Sequence, residues 1–240
     1  MSPRSSADAV PGEDDVEDLS PDYSDFVSKY MRRHTSLSSY KAVTVGSTKA
    51  KVWFIETTQS IDVTAIKGEY SYVKNESHGA VDSVHEAYFH QNKAAVKNLG
   101  ESEFKPVAFD DYLDTYGVNP FGYNIAGFAT SNEAITSIER TTEEGYAFKL
   151  TFDPQKATTN VRIQMKAFGG LDDYPNFSNI AITIHVQCDF TPIKHVVVAD
   201  YQAKRFGVGT DCHQEFTVSF SSINQTVKIP GLEAVRSLLD

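Results

Sequence analysis

The chain has 240 residues, 22 Lys+Arg against 32 Asp+Glu for a net charge of −10, and 40% hydrophobic residues. That is enough apolar material for a substantial core, and the acidic balance speaks against nucleic acid as a partner, since a phosphate backbone wants a Lys/Arg excess. No run of about 18 apolar residues occurs, so no helical membrane span is expected. The start lacks the basic–apolar–small pattern of a signal peptide, which leads to the expectation of a cytosolic protein or a processed form.

Charge is unevenly spread. Residues 1–25 hold Asp8, Glu13, Asp14, Asp15, Glu17, Asp18, Asp22 and Asp25 against Arg4 alone, and residues 1–19 contain no aromatic side chain. Such a stretch has too little apolar surface to offset its ordering entropy. Residues 1–19 are therefore predicted to be a disordered acidic leader, a tether or a plain tail, followed by one domain over 20–240.

Order is expected to begin at Ser20-Pro21-Asp22, an N-cap, a first-turn proline and an acid at the positive end of a helix dipole. Tyr23, Phe26, Val27, Tyr30 and Met31 then recur at helical spacing. From Tyr40 to about Leu99 the period becomes strand-like, with breaks expected at Gly46-Ser47, Thr57–Ser60, Asn75–Gly79 and Gln91-Asn92, giving about five antiparallel strands in meander order. Phe109, Tyr112, Leu113 and Tyr116 predict a helix stopped by Gly117. A further short helix is expected from Asn119-Pro120 through Tyr123, Ile125 and Phe128. Residues 134–152 read as a hairpin. Asp153-Pro154 opens a helix that carries Ala157, Val161, Met165 and Phe168 on one face and ends at Gly169-Gly170.

The last third is tested by its own parity. Ile180, Ile182, Ile184 and Val186 alternate on one strand. A turn at Asp189–Pro192 sets Ile182 opposite Ala199, and a loop over 204–211 sets Val197 opposite Val218. Ile193, His195, Val197, Ala199 and Tyr201 then share a face with Phe216, Val218 and Phe220. A slip by one residue would send all of them to solvent, so the agreement favours a three-stranded meander with one apolar face. Thr183, Gln187, Lys194, Asp200, Gln202, Glu215 and Thr217 fall on the other face, with Val196 and Val198 among them, and that face is expected to be wet.

A helix feeding straight into a first strand (Phe26-Val27-Ser28 through Leu37-Ser38-Ser39-Tyr40 to Val43 and Val45), a closing strand Phe216–Phe220 and the tail Val227-Lys228-Ile229-Pro230 resemble the LolA/LolB and LppX-like envelope lipoproteins over roughly residues 20–231. The resemblance implies an α+β half-barrel: a curved antiparallel sheet of about 9–11 strands with the N-terminal and inserted helices on its concave face. It also implies a hydrophobic cavity for a lipid or other apolar ligand, and a location in the cell envelope or outside the cell. The lipidated cysteine that family members carry at the mature N-terminus has no counterpart, so membrane attachment is expected only through an anchor upstream. Inward parity names Ile182, Ile184, His195, Val197, Phe216 and Val218 as ligand-lining residues, with Phe148 and Phe152 from the preceding hairpin. Trp53, Tyr70 and Tyr72 are further candidates of ambiguous face. The same residues would equally make a filled core, in which case the protein is an interaction or structural module with a protein partner.

No motif announces a reaction. His195 on the apolar face is either a polar handle in a cavity or a histidine satisfied by backbone; an acid–base enzyme centred on it is a third reading. His185 lies on the polar face, and His85 and His90 on opposite faces of one strand. No zinc-like spacing, calcium loop, Gly-x-Ser-x-Gly elbow or phosphate loop occurs, so no cofactor, metal or catalytic residue is expected. Asp110, Asp111 and Asp114, like Asp172-Asp173, read as solvated acids. Gly207-Val208-Gly209 reads as a flexible loop, and the Asn-x-Ser/Thr triplets at Asn75, Asn176 and Asn224 matter only in a glycosylating host. Cys188 and Cys212 fall about ten residues of strand apart, some 30 Å, too far for a disulfide.

Overall fold

A computed structural model describes residues 23–79, 82–117, 124–131, 133–141 and 146–240. The expected leader, the capping residues 20–22 and the helix start at Asn119-Pro120 lie outside them. The helix α1 spans Tyr23–Ser36 and buries Phe26, Val27 and Tyr30. Five strands follow, β1 (Tyr40–Val52), β2 (Ile55–Lys67), β3 (Ser71–His78), β4 (Ser83–His90) and β5 (Lys93–Asn98), then β6 (Lys105–Ala108) and the helix α2 (Phe109–Tyr116). Gly117 ends α2 at φ 65°, donating its N–H to Leu113 O.

The five-strand reading of 40–99 holds, but its breaks fall elsewhere. Gly46-Ser47 and Thr57–Ser60 lie inside continuous strands, and Asn75–His78 completes β3. The β1–β2 turn is Trp53-Phe54, closed by the Val52–Ile55 pair. Gly46 sits mid-strand because a Cβ there would stand 2.3 Å from Cβ of Phe216 across the ladder; the glycine marks close backbone approach, not a turn.

Ile125 and Phe128 belong to a small ribbon, β7 (Asn124–Ile125) with β8 (Phe128–Ala129), in place of the expected helix. The hairpin of 134–152 is β9 (Ile135–Arg140) with β10 (Tyr146–Phe152). The helix expected after Asp153 is two: α3 (Pro154–Ala157), capped by Asp153 accepting from Gln155 N, and α4 (Thr159–Gly169), ended by Gly170 at φ 59°. The break falls at Thr158, which is buried and whose hydroxyl turns back to Pro154 O.

The closing meander is β11 (Asn176–Val186), β12 (Pro192–Arg205) and β13 (Val208–Ser221). The predicted faces are correct except at Ile193, which the bulge before Lys194 leaves exposed, yet the register is displaced by two residues: Ile182 pairs with Val197, and Val197 with Phe216. A bulge near Val186 and a two-residue turn at Phe206-Gly207, where a long loop was expected, account for the displacement. A shift of two leaves each side chain on its face because the strand period is two. The helix α5 (Leu232–Leu239) was not anticipated, although Leu232, Val235 and Leu239 carry its apolar spacing.

Among the described residues eleven strands form one open antiparallel sheet, in the order β6-β5-β4-β3-β2-β1-β13-β12-β11-β10-β9. It is two meanders joined by the β1–β13 seam. Helices α1, α2 and α4 cover one face, called inner here, through clusters around Ile182, Phe148 and Phe128 and around Phe89, Val96 and Tyr112. The helix α5 lies apart from them, packing Val235 and Leu239 on Ile66, Tyr72 and Tyr88 of the opposite, outer face.

Candidate functional site

In the half built from β9–β13, α1 lays Phe26 on Phe148, with ring centroids 4.0 Å apart, and brings the Tyr30 hydroxyl 2.6 Å from Nε2 of His195. Both partners are buried. Burial lowers His195 to about 3, with His34 and His185 adding to the effect, and holds Tyr30 well above its ordinary value. The pair is therefore neutral, and its single hydrogen bond occupies one ring nitrogen. Nδ1 of His195 is buried without a hydrogen-bond partner among the described residues. His34, packed among the rings of Tyr30, Tyr40 and Phe220, is lowered to about 4 by burial and by the charge of Lys67.

The half built from β2–β6 repeats the motif with every valence used. His85 is buried on β4, its Nδ1 2.9 Å from Asn98 Oδ1 and its Nε2 3.0 Å from the Tyr112 hydroxyl of α2. Asn98 in turn donates to the Tyr116 hydroxyl at 3.1 Å. The assignment that satisfies all of them puts the ring proton on Nδ1, donated to Asn98, with Tyr112 donating to Nε2.

The two histidines occupy one cross-strand row of the inner face. The register runs His195–Val218–Thr44–Val63–Asn75–His85 across β12, β13, β1, β2, β3 and β4. Five strand steps at about 4.8 Å make roughly 24 Å along the sheet. Between the two His–Tyr pairs the row thins: Thr44, Val63 and Asn75 are only half-buried, as are Gly46, Ile61 and Ser77 in the adjacent row. Apart from Ile61, these central positions are small or polar where the flanking halves carry large packed side chains.

The expected lining residues all lie on the inner face. Ile182, Ile184, Val197, Phe148 and Phe152 are buried in the layer beneath α1 and the β7–β8 ribbon, His195 meets Tyr30, and Val218 and Phe216 border the thin strip. Of the ambiguous aromatics, Tyr72 lies on the outer face under α5, Tyr70 packs beside it, and Trp53 is exposed at the β1–β2 tip, so none of the three faces the strip. Sequence reasoning missed Thr44, Val63 and Asn75 as site positions: Thr44 and Asn75 are polar, and the Ile61–Val63 alternation marks a strand and not a thin strip. It also missed His85, placed on a face without the Tyr112 that meets it. His185 is buried on the outer face, and His90 stacks on Tyr70.

Among the described residues no group of three His, Cys, Asp or Glu side chains could hold a metal ion, and no helix is long and apolar enough to cross a membrane. Cys188 is an exposed free thiol; Cys212 is buried, which pushes its thiol up to about 11. On the outer face an open cleft of about 670 Å³ lies across the ends of β1, β13 and β12, between Lys49 and Lys51 on one side and Asp200 and Gln202 on the other.

No protein-family model and no curated protein matches the chain. Solved structures are similar in outline. LprF from Mycobacterium bovis superposes with a TM-score of 0.40 at 10% identity, covering 88% of this chain and 97% of that one. A DUF1329 family protein from Desulfovibrio piger gives a TM-score of 0.33 at 11% identity over 90% and 98% of the two chains. The ywiB protein from Bacillus subtilis gives 0.25 at 6% identity over 77% and 94%.

Proposed function

We propose that the protein is a non-enzymatic binding protein for a lipid or other elongated apolar molecule, held between the sheet and its inner helices. The observation that carries this reading is the row from His195 to His85: two closed ends about 24 Å apart along the sheet, joined by small, half-buried Val218-flanking positions Thr44, Val63 and Asn75. An apolar chain needs length and a dry wall and no directional chemistry, and each buried CH₂ contributes about 0.8 kcal/mol. His195 supplies the polar end, since its Nδ1 has no partner among the described residues. The ligand lies against Val218 and Phe216, and movement of α1 opens the deeper wall of Ile182, Ile184, Val197, Phe148 and Phe152. The location that goes with this reading is the cell envelope or the extracellular side.

Organic extraction of the purified protein followed by mass analysis is expected to recover an apolar ligand. A fluorescent stearate analogue is expected to bind the stripped protein at one site, with at least tenfold weaker affinity in Val63→Trp, whose ring fills the strip. The full burial of the Ile182–Val197 wall favours a second reading, a filled interaction module. Clean extracts together with no stearate binding would establish that reading instead.

A further inference from the structure

Two neighbouring hairpins end in aromatic side chains that stand open to solvent, with the Arg205 guanidinium 4.8 Å from the Phe206 ring centre. The β1–β2 turn exposes Trp53 at 86% and Phe54 at 87%, and the β12–β13 turn exposes Phe206 at 84%. Ile55 and Val208, the residues that leave the two turns, are exposed as well. Lys51 pairs with Asp211, so both tips project from the same end of the sheet, on hairpins that lie side by side. Tyr174, in the segment entering β11, is exposed at that end too.

Turn chemistry does not explain these residues. Trp53 has φ 55° and Phe206 φ 50°, followed by Gly207 at φ 76°. The first positions of such tight hairpins favour Gly, Asn or Asp, which reach positive φ at little cost. Phe190 is a useful contrast: it too has positive φ, at 64°, but it is half-buried against Phe26 at a centroid distance of 6.0 Å. The Phe206 tip is also braced. Gly207 donates its N–H to Asp172 Oδ2 at 2.7 Å, and Asp172 N bonds to Lys204 O at 2.9 Å.

We infer that this end of the sheet docks on a phospholipid bilayer, with Trp53, Phe54 and Phe206 entering the interfacial layer. Three side chains of this size present roughly 500 Å², short of the roughly 800 Å² per partner of a stable protein interface. Two narrow protrusions suit a fluid surface that closes around them. Indole and phenyl rings settle at the depth of the headgroups. The surrounding charges, Lys49, Lys51, Lys204 and Arg205 against Glu56, Asp172, Asp173 and Asp211, balance, and Lys49 and Lys51 have no ion-pair partner among the described residues, which leaves them for lipid phosphates. Insertion of apolar rings, not net charge, therefore drives the contact, and zwitterionic bilayers suffice. This inference does not depend on ligand carriage.

Trp53 is the chain's one tryptophan and reports the event directly. With the full chain and phosphatidylcholine vesicles, Trp53 emission is expected to shift to the blue and to be quenched by brominated acyl chains. Phe206→Ser, which keeps the probe, is expected to weaken vesicle partitioning about tenfold, and Phe54→Ser/Phe206→Ser more. Far- and near-ultraviolet dichroism should stay unchanged. Partitioning should vary less than twofold between 0.05 and 0.5 M salt. Emission that ignores vesicles, partitioning indifferent to the serine variants, loss of binding in high salt, or tips that instead mediate a dimer in sedimentation would each overturn the inference. Lipid extracted from a protein that ignores vesicles would leave the carrier reading intact and remove this one.

Discussion

The two halves of the sheet use the same device to different ends. Each sets a buried histidine on an inner strand and meets it with a tyrosine from a covering helix, Tyr30 for His195 and Tyr112 for His85. Around His85 the hydrogen bonds close into a chain that reaches Asn98 and Tyr116, and the strands are covered on both faces by α2 and α5. Around His195 one nitrogen is left over, and the outer face of β1 and β12 stays bare, with Val45 and Ile193 exposed. A closed polar network fixes one arrangement; an open valence in a dry site leaves a place for another molecule.

Acid should separate the halves most strongly. His34 and His195 titrate near 4 and 3 when folded, against about 6.5 unfolded. Between pH 6.5 and 4 the unfolded chain binds protons that the folded chain excludes. Stability is thus full above pH 6.5 and falls on acidification by up to about 1.4 kcal/mol per pH unit for each histidine. His85 is lowered too, but its bond to Asn98 and the charge of Glu101 oppose the shift. Denaturant midpoints measured against pH should lose most of this slope in His34→Gln/His195→Leu and little of it in His85→Leu; an unchanged slope in the double variant would place the titration elsewhere.

At neutral pH the ranking reverses. His85→Leu leaves buried Tyr112 and half-buried Asn98 without their partner and should cost about 2 kcal/mol. His195→Leu strands only the Tyr30 hydroxyl while removing an unpaired nitrogen, so about 1 kcal/mol is expected, and Tyr30→Phe/His195→Leu should recover most of it. Equal losses by chemical denaturation would mean that the two networks are equivalent after all.

The smallest effect concerns how α1 is held. Arg33 donates to Thr191 at 2.7 Å and pairs with Asp189 at 2.8 Å, tying the end of α1 to the β11–β12 turn. The pair is partly exposed, so Arg33→Ala should cost about 1 kcal/mol or less. Faster amide exchange confined to α1 would mark this helix as the part that moves; uniform acceleration would not.

Much of this arrangement was legible in the residues. Alternation over Ile180–Val186 and Phe216–Phe220 is long enough that the faces of these strands came out correctly despite a displaced register, because a shift of two is invisible to parity; Ile193, beside a bulge, did not. The turns were not legible where they broke turn chemistry: Trp53-Phe54 looks like strand, and Gly46 like a break, since its reason is a neighbour, Phe216, 170 residues away. Of the site, the greasy wall was visible as pattern. The thin strip was not, because Thr44 and Asn75 are short polar residues whose meaning lies in the bulk missing around them, and no one-dimensional pattern records that. The pairing of His85 with Tyr112 needed the helix α2 folded back on its own meander.

The seam between β1 and β13 has a kinetic consequence. Every other ladder of the described sheet zips strands that are neighbours along the chain, whereas Lys41 meets Ser221 across 180 residues. Loop-closure entropy is concentrated in that one event, which makes it the slow step of refolding. Two preformed ribbons dock along it, and the amides bonded across its middle, around the Gly46–Phe216 pair, are expected to gain protection last.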